Sequence, residues 1–239
     1  MKVIQEKIYN YIILLSLLAL IAALSLMPEI LQVIALIGIF SFGILHGSND
    51  LFVLQNINQK NKQNDFWKAL FTYLGVVLGF VVVFYVIPLF ALLAFIMISA
   101  YHFGEQHFHL KVRDQKSALA SMFYFVYGIL VLFLIFYFNR SEVVSIIFDM
   151  TAYRVPNSTF SVVLIASGTT SIILYALLAK SNPKLKYSAL ADFFYLGLFS
   201  VLFSVSNVLW GFATYFVLWH SLPSLRDQVN SLYGRFNFS

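Results

Sequence analysis

Eight stretches of this chain, near residues 10–27, 31–55, 67–87, 89–109, 118–138, 160–179, 188–204 and 207–224, are almost uniformly apolar. Each approaches the length of about 20 residues that a helix needs to cross the hydrocarbon of a bilayer. No other feature limits the fold so strongly. Inside a bilayer every backbone N–H and C=O must find a partner within the protein, and a helix supplies those partners within one segment. The expected fold class is therefore all-α: a polytopic integral membrane bundle of about eight transmembrane helices, one transmembrane helical domain over residues 1–239. The last two stretches run together from Ser188 to Ser224. As one helix they would be about 55 Å long at 1.5 Å per residue, too long for a single crossing. The polar run Ser204-Val205-Ser206-Asn207 predicts a turn there; without it the count falls to seven.

Composition removes other classes. Of 239 residues 61% are hydrophobic and 10% charged, where soluble domains carry about 25% charged residues. A cytosolic enzyme, a disordered regulator and an extracellular module are all excluded. With no cysteine there is no disulfide framework, thiolate metal site or iron–sulfur cluster. The net charge of +5 is read as a headgroup-facing surface and not as a nucleic-acid site, because most basic residues fall in short segments between apolar runs. With the N-terminus inside, all of the 15 Lys and Arg except Arg140 and Arg154, in the loop from 139 to 159, lie on the inner side. That bias follows the positive-inside rule and gives a cytoplasmic N-terminus and a multi-pass protein of the cell inner membrane. No small-x-small cleavage site follows Leu26-Met27-Pro28, so the first apolar run is read as a retained span. The longest non-apolar stretch, Asn56 to Asp65, is expected to be a hydrated inner loop.

Ionisable side chains within spans are costly and mark candidate functional positions. All five histidines, His46, His102, His107, His109 and His220, lie in or at the ends of apolar spans. With eight crossings they fall in the inner halves of the second, fourth and eighth, so they can share one depth. In the second, His46 and Asp50 are four apart and on one helix face. Asp50 can then fix the tautomer of a metal-bound ring, or the pair can simply join two helices. Gly43 and Gly47 form a G-x-x-x-G pair that allows close helix approach. In the fourth, Glu105 stands three residues after His102, a spacing suited to orienting that ring. His107, five residues on, lies about 140° around the helix from His102, so a shared ion would need a distorted helix. Gly104 offers a place for a π-type bulge. His109 is about 10 Å along the axis from His102, too far for one ion, and is expected at the interface. A histidine beside Trp219 at a helix end reads as an interfacial anchor when taken alone; three such sites at one depth make His220 a candidate ligand.

Neutral imidazoles suit iron, zinc and copper alike. They leave an ion its full charge and open positions for a substrate. With 26 Phe and 14 Tyr in the chain, an elongated apolar substrate arriving through the membrane is the natural expectation. An opsin would need a mid-span lysine for its Schiff base, and di-iron membrane desaturases use more histidines than the five present. A haem or metal-handling membrane protein stays open.

Gly43-x-x-His46-Gly47-x-x-Asp50, Tyr101-His102-Phe103-Gly104-Glu105 and Trp219-His220-Ser221, in this order in a basic-inside multispan chain, resemble the Brp/Blh family of membrane β-carotene 15,15′-dioxygenases. The resemblance covers nearly the whole chain in architecture and three short motifs in residues. It implies cleavage of the central double bond of β-carotene by O2 at a non-haem Fe(II), giving two retinal molecules, with a functional link to a retinal-binding rhodopsin. It also implies four histidine ligands, the last two four residues apart. His46, His102 and His220 match three of them, while the fourth position holds Ser224, after Pro223. His107 is the residue expected to compensate, with Asp50 and Glu105 orienting the ligand rings. Expected partners are β-carotene, O2 and membrane lipids, and no nucleic acid. The missing fourth histidine keeps a second reading open, a non-catalytic membrane protein that binds a carotenoid or retinal or assists opsin assembly.

Overall fold

A computed structural model describes residues 2–57, 62–112, 114 and 117–233, and the side chains within them except at 2–7, 46–57, 62–66, 69, 73 and 230–233. The described residues are helical with short joints, and no strand occurs among them. The helices are α1 (Lys2–Ser25), α2 (Pro28–Ile57), α3 (Lys62–Val86), α4 (Pro88–Phe108), α5 (Ala118–Phe138), α6 (Arg140–Thr151), α7 (Asn157–Ser181), α8 (Pro183–Val205) and α9 (Val208–Thr214). From α9 the chain continues without a break through a π-helical turn, Tyr215–Ser221, into α10 (Leu222–Tyr233).

Local chemistry sets the joints. Pro28, Pro88 and Pro183 each open a helix, at the position where a missing N–H costs nothing. The Ser117 hydroxyl accepts from the Ala120 N–H to cap α5, and the Asn207 side chain accepts from Trp210 N–H at 2.8 Å to cap α9. α6 ends at Ala152, whose φ of 55° lies in the left-handed region. Segment 139–159, expected as a loop, thus contains a 12-residue helix, too short to cross a membrane. The expected loop Asn56 to Asp65 is also shorter than read, since α2 runs to Ile57 and α3 starts at Lys62; residues 58–61 lie outside the described residues.

Among the described residues six helices, α1, α2, α4, α5, α7 and α8, are long and apolar enough to cross a membrane. The other two expected crossings fall on α3, whose apolar part is Leu70–Val86, and on the rod from α9 to α10. α3 begins with the hydrophilic run Lys62-Gln63-Asn64-Asp65, and the rod ends in polar residues from Arg226 on, so neither is apolar along its whole length. The turn expected near Ser206 is present. α8 stops at Val205, and the chain returns antiparallel to it, with Phe203 against Gly211, Phe199 5.2 Å from Tyr215 and Tyr195 4.8 Å from Trp219 between ring centroids. α2 runs parallel to the same rod: Leu31, Ala35, Trp210 and Ala213 share one buried cluster, and Gly38 faces the Val217 side chain.

α5 is the most enclosed of these six helices, with Phe123, Tyr124, Val131 and Ile135 fully buried. Its contact with α4 is close enough to exclude a Cβ atom. One added to Gly104 would stand 1.9 Å from the Tyr124 carbonyl oxygen, and one added to Gly128 would stand 1.7 Å from that of Ala100. Gly104 is therefore a contact point and not the expected bulge. Gly43, expected to admit a neighbouring helix, has nothing within 4 Å of the Cβ position among the described residues; Gly47 is not among the described side chains.

These differences give opposite outcomes for one chemical change. Gly128→Ala is expected to force α4 and α5 apart and to lower the melting temperature sharply or prevent folding. Gly43→Ala should be neutral or stabilising, since alanine is worth about 0.5–1 kcal/mol over glycine inside a helix. Thermal unfolding of the detergent-solubilised variants measures both.

Candidate active site at the α4 seam

The last turns of α4 lie against the π-helical turn, and the two bring imidazoles together. The rings of His102 and His220 are 4.7 Å apart between centroids, with planes inclined at 67°. Phe103 and Phe216 flank His220 at 4.9 and 5.8 Å. His220 is 2% exposed and Trp219 is 3% exposed, so this end of the rod is interior and not an interfacial anchor. The indole N–H of Trp219 donates to Ser16 Oγ of α1 at 2.9 Å.

Pro223 accounts for the wide turn. In an α-helix its ring would meet the carbonyl of Trp219, four residues back, and it has no N–H to donate there. A π turn relieves that clash by adding one residue per turn, and the Leu222 N–H donates to the carbonyl of Val217, five residues earlier. The sequence carried that signal in Pro223, one residue before the position where the resemblance puts a fourth histidine. Ser224 itself is buried.

His107 lies elsewhere. Its ring stacks on Trp219 at 6.1 Å and 20° and meets Phe108 at 4.7 Å and Tyr127 at 5.3 Å, while the His102 and His220 rings meet each other. The π-type distortion that would swing His107 toward His102 is absent, since α4 is α-helical through Phe108. Among the described residues no hydrogen-bond partner reaches His107 Nε2. Glu105 is half-buried on α4. The side chains of His46 and Asp50, on α2, lie outside the described residues. Among the described residues no group of three or more His, Cys, Asp or Glu is placed to hold a metal ion.

His109 caps the end of α4. Its Nδ1 lies 3.0 Å from the Gln106 carbonyl and its Nε2 lies 3.4 Å from Asp227 on α10. Partial burial works against the charged ring, but the hydrogen bond to Asp227 and those to the backbone at Gln106 and Glu105 outweigh it, so its pKa is raised.

Sequence reasoning passed over Asp192, a buried acid in α8 and 3% exposed. It pairs with Lys111, from the segment after α4, and accepts hydrogen bonds from Tyr175 and Ser188 at 2.9 and 2.8 Å. An aspartate four residues into the apolar run from Ser188 was the signal. Beside it, Phe108, Phe123, Tyr127, Ile172 and Leu196 line an apolar slot of about 180 Å³ between α5, α7 and α8. Asp192→Asn is expected to strand the Lys111 charge and cost about 3 kcal/mol, while the double variant Lys111→Met with Asp192→Leu recovers much of it. Unfolding midpoints of the three proteins give the comparison.

No curated protein matches the chain, and no solved structure does. The family model described as beta-carotene 15,15'-dioxygenase matches residues 37–237, from the middle of α2 to beyond α10, and takes in His46, His102 and His220. Its span covers far more than half of the chain, so the chain belongs to the beta-carotene 15,15'-dioxygenase family.

Proposed function

We propose that this chain cleaves β-carotene at the central 15,15′ double bond with O2 to give two retinal molecules, at a non-haem Fe(II) held by His46, His102 and His220. The observation that carries the reading is the meeting of two imidazoles from distant parts of the chain, His102 and His220, inside the span of the family match. They are nitrogen donors, His220 buried among aromatic rings and His102 exposed at the edge of the seam, which fits a borderline ion such as iron. The atoms balance, since one C=C and one O2 become two C=O groups. Iron supplies, when bound, the oxygen chemistry that a hydrocarbon and dioxygen lack by themselves.

The chain's own residues do the rest. The exposed His102 ring meets that of His220 edge to face, and His220 holds its ring by packing against Phe103 and Phe216. Those side chains keep water from the reacting bond, and Phe212, stacked on Phe216 at 5.8 Å, extends the apolar surface on which a polyene lies. Asp50 and Glu105 are assigned to orienting His46 and His102. The stacking of His107 on Trp219 supports a packing role for it, in place of the compensating fourth-ligand position expected from the family resemblance. The cytoplasmic N-terminus and the cell inner membrane remain the assignments that the charge bias supports.

Expression in cells that make β-carotene, followed by chromatography of the pigments, tests the reaction. Retinal with loss of colour is expected; orange cells with abundant folded protein and no retinal would instead favour the non-catalytic carotenoid binder. Iron content of the purified chain tests the site separately. His102→Ala and His220→Ala should each lose iron and at least about a hundredfold in activity, in the range seen when a metal site is disturbed, whereas His107→Ala should lower stability and retain iron. Pro223→Ala lets the π turn close to an α-helix, and it is expected to leave helix content unchanged while cutting activity by about tenfold or more. Retention of full activity in Pro223→Ala would show that the π turn does not set the His220 position.

A further inference from the structure

On the side of the Trp219 and His107 rings, the start of α1, the end of α4, the start of α8 and α10 leave a cleft of about 500 Å³. All four are ends that the alternation of crossings puts at the basic, inner side. Ile8, Tyr9, Tyr195 and Pro223 make part of its wall apolar. Lys111 pairs with Asp192, which lies outside the cleft lining, and Asp227 takes His109 and the Gln106 amide, the latter at 3.3 Å. Lys184 and Arg226 differ. Lys184 donates to the Leu110 carbonyl at 3.1 Å, and among the described residues neither Lys184 nor Arg226 has a carboxylate within ion-pair distance. One cation stands on α8 and the other on α10, across an aromatic-walled opening. His107, on that wall and 4% exposed, brings a buried nitrogen without a hydrogen-bond partner among the described residues.

We propose that this cleft binds the headgroup of an anionic phospholipid, with Lys184 and Arg226 on the phosphate and Tyr9, Tyr195 and Pro223 against the glycerol and first acyl carbons. The chemistry of the cleft selects that class. Lys184 and Arg226 outnumber the one carboxylate of the lining, Asp227, which favours an anion, and the apolar wall would be wasted on a small soluble phosphate. The opening lies at the ends of membrane-spanning helices, at headgroup depth, where basic pockets between helices meet the negatively charged leaflet. A lipid held there bridges α8 to α10, and α10 continues directly from the turn that carries His220. This site does not depend on the proposed reaction.

The test uses the full-length chain purified in detergent, with retained lipids counted by native mass spectrometry after exposure to equal amounts of phosphatidylglycerol and phosphatidylcholine. One phosphatidylglycerol per chain, preferred about tenfold over phosphatidylcholine, is expected. Lys184→Gln with Arg226→Gln should abolish that preference, and Lys184→Arg with Arg226→Lys should keep it. Lys180→Gln with Lys186→Gln, which removes a basic residue from the end of α7 and one from the start of α8, both outside the cleft lining, should also keep it. Equal retention of the two lipids by the unaltered chain, or a preference that survives the Lys184 and Arg226 neutralisation, overturns the proposal. Loss of the preference in the charge-conserving pair also overturns it, and so does displacement of the lipid by millimolar glycerol 3-phosphate, which would identify a soluble phosphate ester as the ligand. A bound phosphatidylglycerol in a chain that makes no retinal would sink the proposed reaction and leave this site standing.

Discussion

The closeness of α4 to α5 holds the candidate site in place. At Gly104 and Gly128 the two backbones meet with no room for a side chain, and each glycine faces the carbonyl of a residue on the other helix. In an apolar solvent, helices gain nothing by hiding hydrocarbon from water, so close packing and polar ties have to hold them. With α4 seated on α5, its last turns can present His102 on one side and His107 on the other. The rod that carries His220 then closes the opposite side of the seam through Phe103 and the His102 ring.

Polar ties do the remaining work at the two ends of the bundle. At the basic end, Asp192 gathers Lys111, Tyr175 and Ser188 from three parts of the chain, and Asp227 holds the end of α4 through His109. At the other end, Asn139 donates to the Phe203 carbonyl at 3.2 Å and the Glu142 carboxylate accepts from the Val208 N–H at 3.1 Å. That second contact fastens α6 to the start of α9, just past the reversal at Ser206. The ties to Asp192 satisfy a buried acid that would otherwise be stranded away from water, where an unpaired polar group is costly.

Much of the fold was legible because its causes are local or periodic. The apolar runs, the prolines that open helices and the polar reversal at Ser206 and Asn207 could all be read directly, and the helices follow them closely. Details that depend on a neighbour were not legible. Gly104 and Gly43 look alike in sequence, each set in an apolar run within a histidine motif, yet a Cβ added to one would meet a backbone and a Cβ added to the other would meet nothing within 4 Å among the described residues. The helical distortion was read at Gly104 in α4 but sits before Pro223, because a missing N–H and a ring clash distort a helix more surely than a glycine does. The role of Asp192 is not legible in sequence because nothing in its own segment shows that Lys111 reaches it.

By itself the sequence determined a membrane bundle of helices, its positive side, the family and the histidines worth considering, because hydropathy, charge bias and motif spacing are properties of single segments. Which imidazoles meet was decided only by the tertiary structure. Spacing along α4 leaves His102 and His107 both eligible to face His220, and the angle between them around the helix means that one seam can take only one of the two. The packing of α4 on α5 and the π turn before Pro223 chose His102, and left His107 to the aromatic wall of the cleft behind it.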